Sequence, residues 1–254
     1  MSRFAVISDI HGNLHALQAV LARMVSLDVD ELICLGDVVG YGPSPDACLD
    51  LIVKYCSITV RGNHDEAVVD PNCASQFNGA ARQAIQWTRN VLGPLHIAAL
   101  NRLPHVAHIG DRVLCIHDCP VPGPTDYVHD KVMAAQAFRG VDRHICLLGH
   151  THVPMVFETE VIDPDEVVNP SDVIAHIPNS GDVFELSPDC RYICNPGSVG
   201  QPRDADPRAS FAVLDLASNT FTVHREPYDI AAAQRATQQA GLPTILAERL
   251  AIGA

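Results

Sequence analysis

No apolar stretch in this 254-residue chain approaches the roughly 20 residues that a helix needs to cross a bilayer. The chain opens Met-Ser-Arg-Phe-Ala-Val-Ile-Ser-Asp and enters a strand-like run almost at once. It lacks the charged, then apolar, then small-residue pattern of a secretory leader, so the expected location is the cytoplasm, with no membrane partner. Cys-x-x-Cys pairs are missing, and the nine cysteines are an odd number in a long chain, which argues against both a disulfide framework and a zinc knuckle. Cys34, Cys115 and Cys146 sit inside apolar runs, where a free thiol behaves as a small buried hydrophobe. Positive charge is scarce: 17 Lys and Arg face 30 Asp and Glu, for a formal net charge of −13. That excludes a broad basic face for nucleic acid. It does not exclude a phosphate-bearing substrate, provided bound cations reverse the local field. Internal repeats and low-complexity tracts are absent, and nothing in the sequence speaks against a homo-oligomer.

What the chain does contain is one pattern used five times: a short apolar run that breaks into a polar cluster. Phe4 to Ile7 leads to Ser8-Asp9-Ile10-His11-Gly12-Asn13, and Leu32 to Leu35 leads to Gly36-Asp37. Ile58 to Val60 leads to Arg61-Gly62-Asn63-His64-Asp65, Val113 to Ile116 to His117-Asp118, and Ile145 to Leu148 to Gly149-His150-Thr151-His152. Runs of this kind predict strands buried on both faces. Helical patterns lie between them at 13–27, where Leu14, Leu17, Leu21, Met24 and Val25 share a face, at 44–54 behind Ser44-Pro45, and at 77–92. Such alternation implies βαβ units whose polar clusters share one rim of a sheet.

After residue 152 the texture changes. Short strands are expected at 155–157, 173–177, 183–186, 191–194, 211–216 and 220–225, with a hairpin from Asp215 to Thr220. Residues 158–172, acidic and with two prolines, read as a surface excursion, and 229–239 and 243–251 as helices. Because the polar clusters between positions 9 and 152 must converge, residues 1–254 are expected to form a single domain.

Asp, His and Asn are borderline-to-hard ligands, suited to Mn, Fe, Zn, Ni or Mg. On an extended segment Asp9 and His11 would point the same way. Asp37, behind Gly36, could bridge two cations. Asn63 offers a neutral carbonyl oxygen, and His64 a proton. Taken singly, Asp9, Asp37 and Asn63-His64 are as easily turns, and His117 a hydrogen-bonded core residue; His150 and His152 together are harder to explain that way. Five unrelated explanations are less economical than one shared site.

The set Asp9-x-His11, Gly36-Asp37, Gly62-Asn63-His64-Asp65, His117 and Gly149-His150-Thr151-His152 resembles the calcineurin-like metallophosphoesterase superfamily. Asn195-Pro196-Gly197-Ser198-Val199-Gly200-Gln201-Pro202-Arg203 looks like a segment of its small bacterial and archaeal phosphodiesterase branch, so the likeness spans about four-fifths of the chain. The resemblance implies an α/β (α+β) fold, a four-layer αββα sandwich of two mixed β-sheets flanked by helices. It implies two divalent metal ions, with manganese favoured: Asp9, His11 and His152 on the first, Asn63, His117 and His150 on the second, Asp37 bridging, and His64 beside them as the catalytic acid.

Two such cations, roughly 3.5–4 Å apart, would activate a hydroxide for in-line attack on phosphorus. His64 would then protonate the leaving alkoxide. Tyr41 and Arg203 are candidate substrate contacts: Tyr41 for stacking, Arg203 for a phosphate oxygen. Asn195 to Gly197 reads as a tight turn, with Gly197 at positive φ. Two departures stand out. Gly40 and Tyr41 replace the Asp-Arg pair of the protein Ser/Thr phosphatase branch, and Asp118 stands where the family usually has Gly. The expected function is hydrolysis of phosphodiester or phosphomonoester bonds in a small molecule or nucleotide. The alternatives are a protein Ser/Thr phosphatase and a non-catalytic scaffold of the same fold; the filled ligand positions argue against the latter.

Overall fold

The computed structural model describes residues 3–121 and 127–254. Twelve strands form two six-stranded sheets. The first sheet begins with β1 (Arg3–Ile7), β2 (Glu31–Cys34) and β3 (Cys56–Thr59), all parallel. β11 (Ala209–Asp215), β12 (Thr220–Glu226) and β9 (Val183–Glu185) extend it antiparallel, in the order β3-β2-β1-β11-β12-β9. The second sheet is built on the parallel strands β5 (Val113–Ile116), β6 (Ile145–Leu147) and β10 (Arg191–Pro196). β4 (Val106–Ile109), β7 (Pro154–Thr159) and β8 (Val173–His176) complete the order β4-β5-β6-β10-β7-β8.

The period-two alternation of side chains decides the layering. Phe4 and Val6 of β1 and Ile33 of β2 face the second sheet, meeting Val113, Cys115, Ile145, Leu147 and Tyr192 in a core between the sheets. The alternate residues Ala5, Ile7 and Cys34 face outward, onto α1 (Leu14–Met24) and α2 (Pro45–Tyr55) through Leu17, Val20, Leu49 and Ile52. Leu114, Cys146 and Ile193 likewise turn away from the middle and pack on α6 (Lys131–Ala137). Each sheet is therefore covered on both faces, the expected four-layer arrangement. Each fully buried Leu or Ile here contributes roughly 1.5–3 kcal/mol by leaving water.

The predicted helices lie at α1, α2 and α4 (Gly79–Val91), with α7 (Ile230–Gln239) and α8 (Thr244–Glu248) near the end. Asn13 caps α1 by accepting from Ala16 N–H at 3.2 Å, so that helix starts where the polar cluster ends. It stops at Met24 rather than at residue 27. The hairpin pairs Asp215 with Thr220, and Asp215 Oδ1 accepts from Ala217 N–H at 2.9 Å.

The sequence did not announce α3 (Asn63–Val69), α5 (Pro94–Arg102), α6 or β4. α3 begins inside a motif read as a polar loop, and β4 is a sheet edge whose Val106 is exposed. The surface excursion begins only at residue 160, because β7 runs to Thr159. All nine cysteines are free thiols, with Cys34, Cys115 and Cys146 buried as expected. Among the described residues, no helix is long and apolar enough to cross a membrane.

Candidate metal centre

The parallel strands of each sheet end on one rim, and each polar cluster follows one of those ends. Asp9 and His11 follow β1, Asp37 follows β2, and Asn63 and His64 follow β3. His117 follows β5, and His150 and His152 follow β6. The loops continue the hydrogen-bond ladder past the strands. Asp9 N–H donates to the Gly36 carbonyl at 3.0 Å, His11 N–H to the Asp37 carbonyl at 2.9 Å, and Gly200 N–H to the Asp9 carbonyl at 2.9 Å. A predicted cluster is thus fixed to its neighbours by main chain before any side chain acts.

Asp9 and His11 do not converge by lying on an extended segment, as the sequence suggested. Both are left-handed, with φ of 54° and 50°, and Asp37 (53°), Tyr41 (55°), His150 (68°) and His152 (62°) share that conformation. An L-residue held there costs of the order of 1 kcal/mol or more, and such strain collects where a structure needs particular side-chain directions. Tight turns, rather than strand alternation, aim these groups.

The side chains meet at Asp37. Its Oδ2 lies 3.5 Å from His11 Nε2 and 3.4 Å from His117 Nε2. Asp9 Oδ1 lies 3.3 Å from His152 Nε2 and 3.9 Å from His11 Nε2. Ligand atoms of Asp9, His11 and His152 fall within 4.8 Å of one another, as do those of Asp37, His117 and His150, and those of His11, Asp37 and His64. The other oxygen of each carboxylate is held by main chain: Asp37 Oδ1 accepts from His64 N–H at 2.8 Å, and Asp9 Oδ2 from His150 N–H at 3.1 Å.

Three imidazoles are oriented from behind. Nδ1–H donates to the Val39 carbonyl in His11 (3.1 Å), to the Leu35 carbonyl in His117 (2.7 Å) and to the Gln201 carbonyl in His152 (2.6 Å). A carbonyl can only accept, so each of these rings turns Nε2 towards the centre. Asp9 Oδ1, Asn63 Oδ1 and His117 Nε2 are buried with no hydrogen-bond partner. Buried polar atoms are seldom left so. Their chemistry, carboxylate and amide oxygen with imidazole nitrogen, fits a divalent cation.

The electrostatics agree. Burial alone would raise the Asp37 carboxyl, but the positive charge of His117, foremost among the neighbouring imidazoles, holds it well below the usual carboxylate range. Burial pushes Asp9 up to about 6, against the pull of His117. Burial would also lower His117, yet Asp37 and Asp9 outweigh it and raise that imidazole to about 10. The two carboxylates therefore demand positive charge, which a proton on His117 supplies and a cation would displace. Burial lowers His150 to about 3, and His11 and His152 well below the ordinary imidazole value, leaving them neutral and able to ligate.

His64 has no carboxylate to orient it, and its buried Nδ1 has no partner. Ring packing holds it instead, with centroids 4.4 Å from Tyr41, 4.7 Å from Phe77 and 4.8 Å from His11. A Cβ at Gly40 would sit 2.5 Å from Nδ1, so this backbone leaves no room for an orienting Asp there. Burial depresses His64 to about 4, so the ring is neutral at pH 7; a phosphate anion beside it would favour its protonated form.

Tyr41 is buried, with its ring 4.6 Å from His11, and forms a wall of the site rather than a surface turn. Arg203 is half-buried and makes a long contact, 3.5 Å, to the Tyr41 hydroxyl. Asp118 is half-buried and belongs to none of the three clusters among the described residues.

The sequence reading assigned no structural role in the site to several residues that build it. Asp65, fully buried, accepts from Val39 N–H and Gly62 N–H, both at 3.1 Å, and ties the Asp37 and Asn63 loops together. Asn195 donates to the Gly149 carbonyl at 2.6 Å and Thr151 Oγ1 at 3.0 Å, and Ser198 Oγ donates to the Asp9 carbonyl at 2.8 Å. Gly197 makes its turn at φ 77°, as expected. Tyr127 stacks on His150 at 4.1 Å, and no local pattern pointed to it.

Known proteins share this fold. The model of the calcineurin-like phosphoesterase superfamily domain matches residues 2–219. A metallophosphoesterase from Sphaerobacter thermophilus is 41% identical, with a TM-score of 0.85 over 100% of this chain and 99% of that one. An uncharacterised protein of Methanocaldococcus jannaschii is 34% identical over 99% of this chain and 98% of its own. A hypothetical protein of Pyrococcus horikoshii OT3, at 19% identity, has the same fold with a TM-score of 0.77 over 100% of this chain and 99% of that one. The chain belongs to the calcineurin-like phosphoesterase superfamily.

Proposed function

We propose that this protein hydrolyses phosphodiester or phosphomonoester bonds of a small molecule or nucleotide, using two divalent cations held at the rim. Its support is the shared Asp37: one carboxylate oxygen faces His11 on one side and His117 on the other, among buried ligand atoms that have no hydrogen-bond partner. Asp9, His11, His152 and Asp37 would hold the first cation, and Asp37, Asn63, His117 and His150 the second. Manganese is our first choice for both. The pair would supply Lewis acidity, lowering the pKa of water and neutralising charge on the phosphoryl group.

The chain's own residues do the rest. Main-chain N–H groups of His64 and His150 fix the two carboxylates, so no reorganisation is needed when charge develops. Tyr41, Phe77 and His11 confine the His64 ring, which is placed to donate a proton to the departing oxygen. A protein Ser/Thr phosphatase is the weaker reading, because Gly40 leaves His64 Nδ1 without the orienting carboxylate of that branch.

Bis(p-nitrophenyl) phosphate should be cleaved in the presence of Mn, Ni or Mg, and chelation should abolish turnover. His64→Ala should lose roughly 100-fold or more while keeping its metal. Equal rates with and without chelator would overturn the proposal.

A further inference from the structure

Two arginines stand beside the centre with no side-chain carboxylate in ion-pair range among the described residues. Gln201 Oε1 accepts from both, from Arg203 Nη2 at 3.1 Å and from Arg249 Nη1 at 3.2 Å. The acids next to Arg203 in sequence are committed elsewhere: Asp204 pairs with Arg225, and Asp206 with Arg208 at 2.6 Å. Arg203 Nε is buried and donates to nothing. Arg249 directs its Nε to an oxygen of Ala254, the last residue of the sequence and so part of a carboxylate, which leaves Nη1 facing Gln201. Two guanidiniums sharing one neutral oxygen repel each other, and that cost falls when an anion joins them.

The pair lies on the His11 and His152 side of the centre. Arg203 N–H donates to the His152 carbonyl at 3.2 Å, and the Gln201 carbonyl orients the His152 ring. The Arg203 guanidinium lies 5.9 Å from the centroid of Tyr41, whose ring packs on His11. Its charge is felt at Asp9, His11, His64 and His152. Burial and the neighbouring Arg203 lower Arg249, as expected of adjacent like charges.

We infer that Arg203 and Arg249 form an anion clamp beside the metal-ligand cluster, selecting substrates that carry a second phosphate next to the scissile one. This rests on the phosphoesterase reading above and extends it from esters to the phosphoanhydride bond of nucleoside diphosphates and similar diphosphate compounds: water adds to the terminal phosphorus, the P–O–P bond breaks, and inorganic phosphate and the nucleoside monophosphate leave. Planar guanidiniums suit that task, because each can present paired N–H donors to phosphate oxygens. A purely structural role, with the arginines only bracing Gln201 and through it His152, makes a different prediction. It would lower kcat on every substrate alike.

The test compares ADP, AMP and bis(p-nitrophenyl) phosphate as substrates of the metal-loaded wild type, Arg203→Gln, Arg249→Gln and Arg249→Lys. Thermal unfolding checks that each variant is folded. Wild-type KM should be about tenfold or more lower for ADP than for AMP, the effect of one or two charge-assisted hydrogen bonds. Each Gln variant should raise KM for ADP by about that factor, well beyond its effect on the other two substrates, and Arg249→Lys should fall between. Equal KM values for ADP and AMP in the wild type, or an equal loss of kcat on all three substrates, would overturn the clamp.

Calorimetric titration of ADP into chelator-treated protein provides a second readout. ADP should bind more tightly than AMP, and the difference should vanish in Arg249→Gln. If that holds while no substrate is hydrolysed with any metal, the phosphoesterase reading fails and the clamp stands. If the diester is cleaved in a metal-dependent way but the arginines make no difference to ADP, the clamp alone fails.

Discussion

Replacing Gly62 with alanine should dislodge Asp37 and with it the proposed bridge. Gly62 has φ of −90°, a value any residue adopts, so the effect is steric and not conformational. A Cβ there would lie 2.7 Å from Asp37 Cγ, and nearer still to Asp37 Oδ1 and N. Carbon atoms do not approach so closely, and the obstacle is a buried, multiply held carboxylate and not a flexible chain end. Relieving the clash means moving the carboxylate, which breaks the 2.8 Å bond from His64 N–H to Asp37 Oδ1.

Overpacking a core of this kind costs about 1–3 kcal/mol, and a lost hydrogen bond to a charged group about 1.5–3 kcal/mol. The sum, roughly 2.5–6 kcal/mol, is a large part of the 5–15 kcal/mol of a typical domain. Gly79 provides the control: a Cβ there meets nothing within 4 Å, and the residue begins α4. Gly79→Ala should be neutral or stabilise by up to about 1 kcal/mol. Urea denaturation of the two metal-free variants measures the difference, and calorimetry with Mn measures the number of ions bound. If Gly62→Ala unfolds within about 0.5 kcal/mol of wild type, as ordinary surface changes do, and still binds two ions, the packing argument around Asp37 is wrong.

Other substitutions probe the rest of the site. Asp37→Asn keeps the shape but not the charge; bound metal should drop below two per chain, and turnover should fall by more than the roughly 10–100-fold typical of losing an outer-sphere partner. Undiminished metal content would remove Asp37 from its bridging role. Asn195→Ala leaves the Gly149 carbonyl without this donor and should cost about 1–3 kcal/mol on unfolding. An unchanged melting temperature would count against that link.

For pH, Asp65 is raised from 3.8 to about 7, by burial first and Asp37 second, so its contribution to stability is complete below pH 3.8 and lost as pH rises through 7. His64, depressed from 6.5 to about 4 by burial, runs the other way: its contribution is complete above 6.5 and lost as pH falls through 4. The difference between urea midpoints of metal-free wild type and Asp65→Asn should isolate the first effect, wild type losing ground between pH 4 and 7. Parallel curves across that window would rule it out.

The strands that carry the site were legible because local chemistry specifies them. Val6, Ile33, Cys115 and Leu147 are buried in the core between the sheets, on strands covered on both faces, so their runs are apolar throughout. The abrupt change to Asp, His and Asn at each end is equally local, which is why the polar clusters could be read from position and type, while the roles of the seven candidate ligands and His64 came from the family resemblance. α3 and α6 were not legible, because seven-residue helices carry too few turns for a periodic signal and depend on tertiary contacts.

By itself, then, the amino-acid order determined which segments are buried strands and which residues at their ends are candidates to hold a cation. Only the tertiary structure decided how those residues aim. The left-handed turns at Asp9, His11 and Asp37 are strained and persist because neighbouring loops hold them. Tyr127 on His150, the Gln201 carbonyl behind His152, and Arg249 beside Arg203 depend on segments far apart in sequence. The physical reason is range: hydrophobic periodicity acts over a few residues, whereas a contact such as Arg249 with Gln201 exists only once the chain has folded.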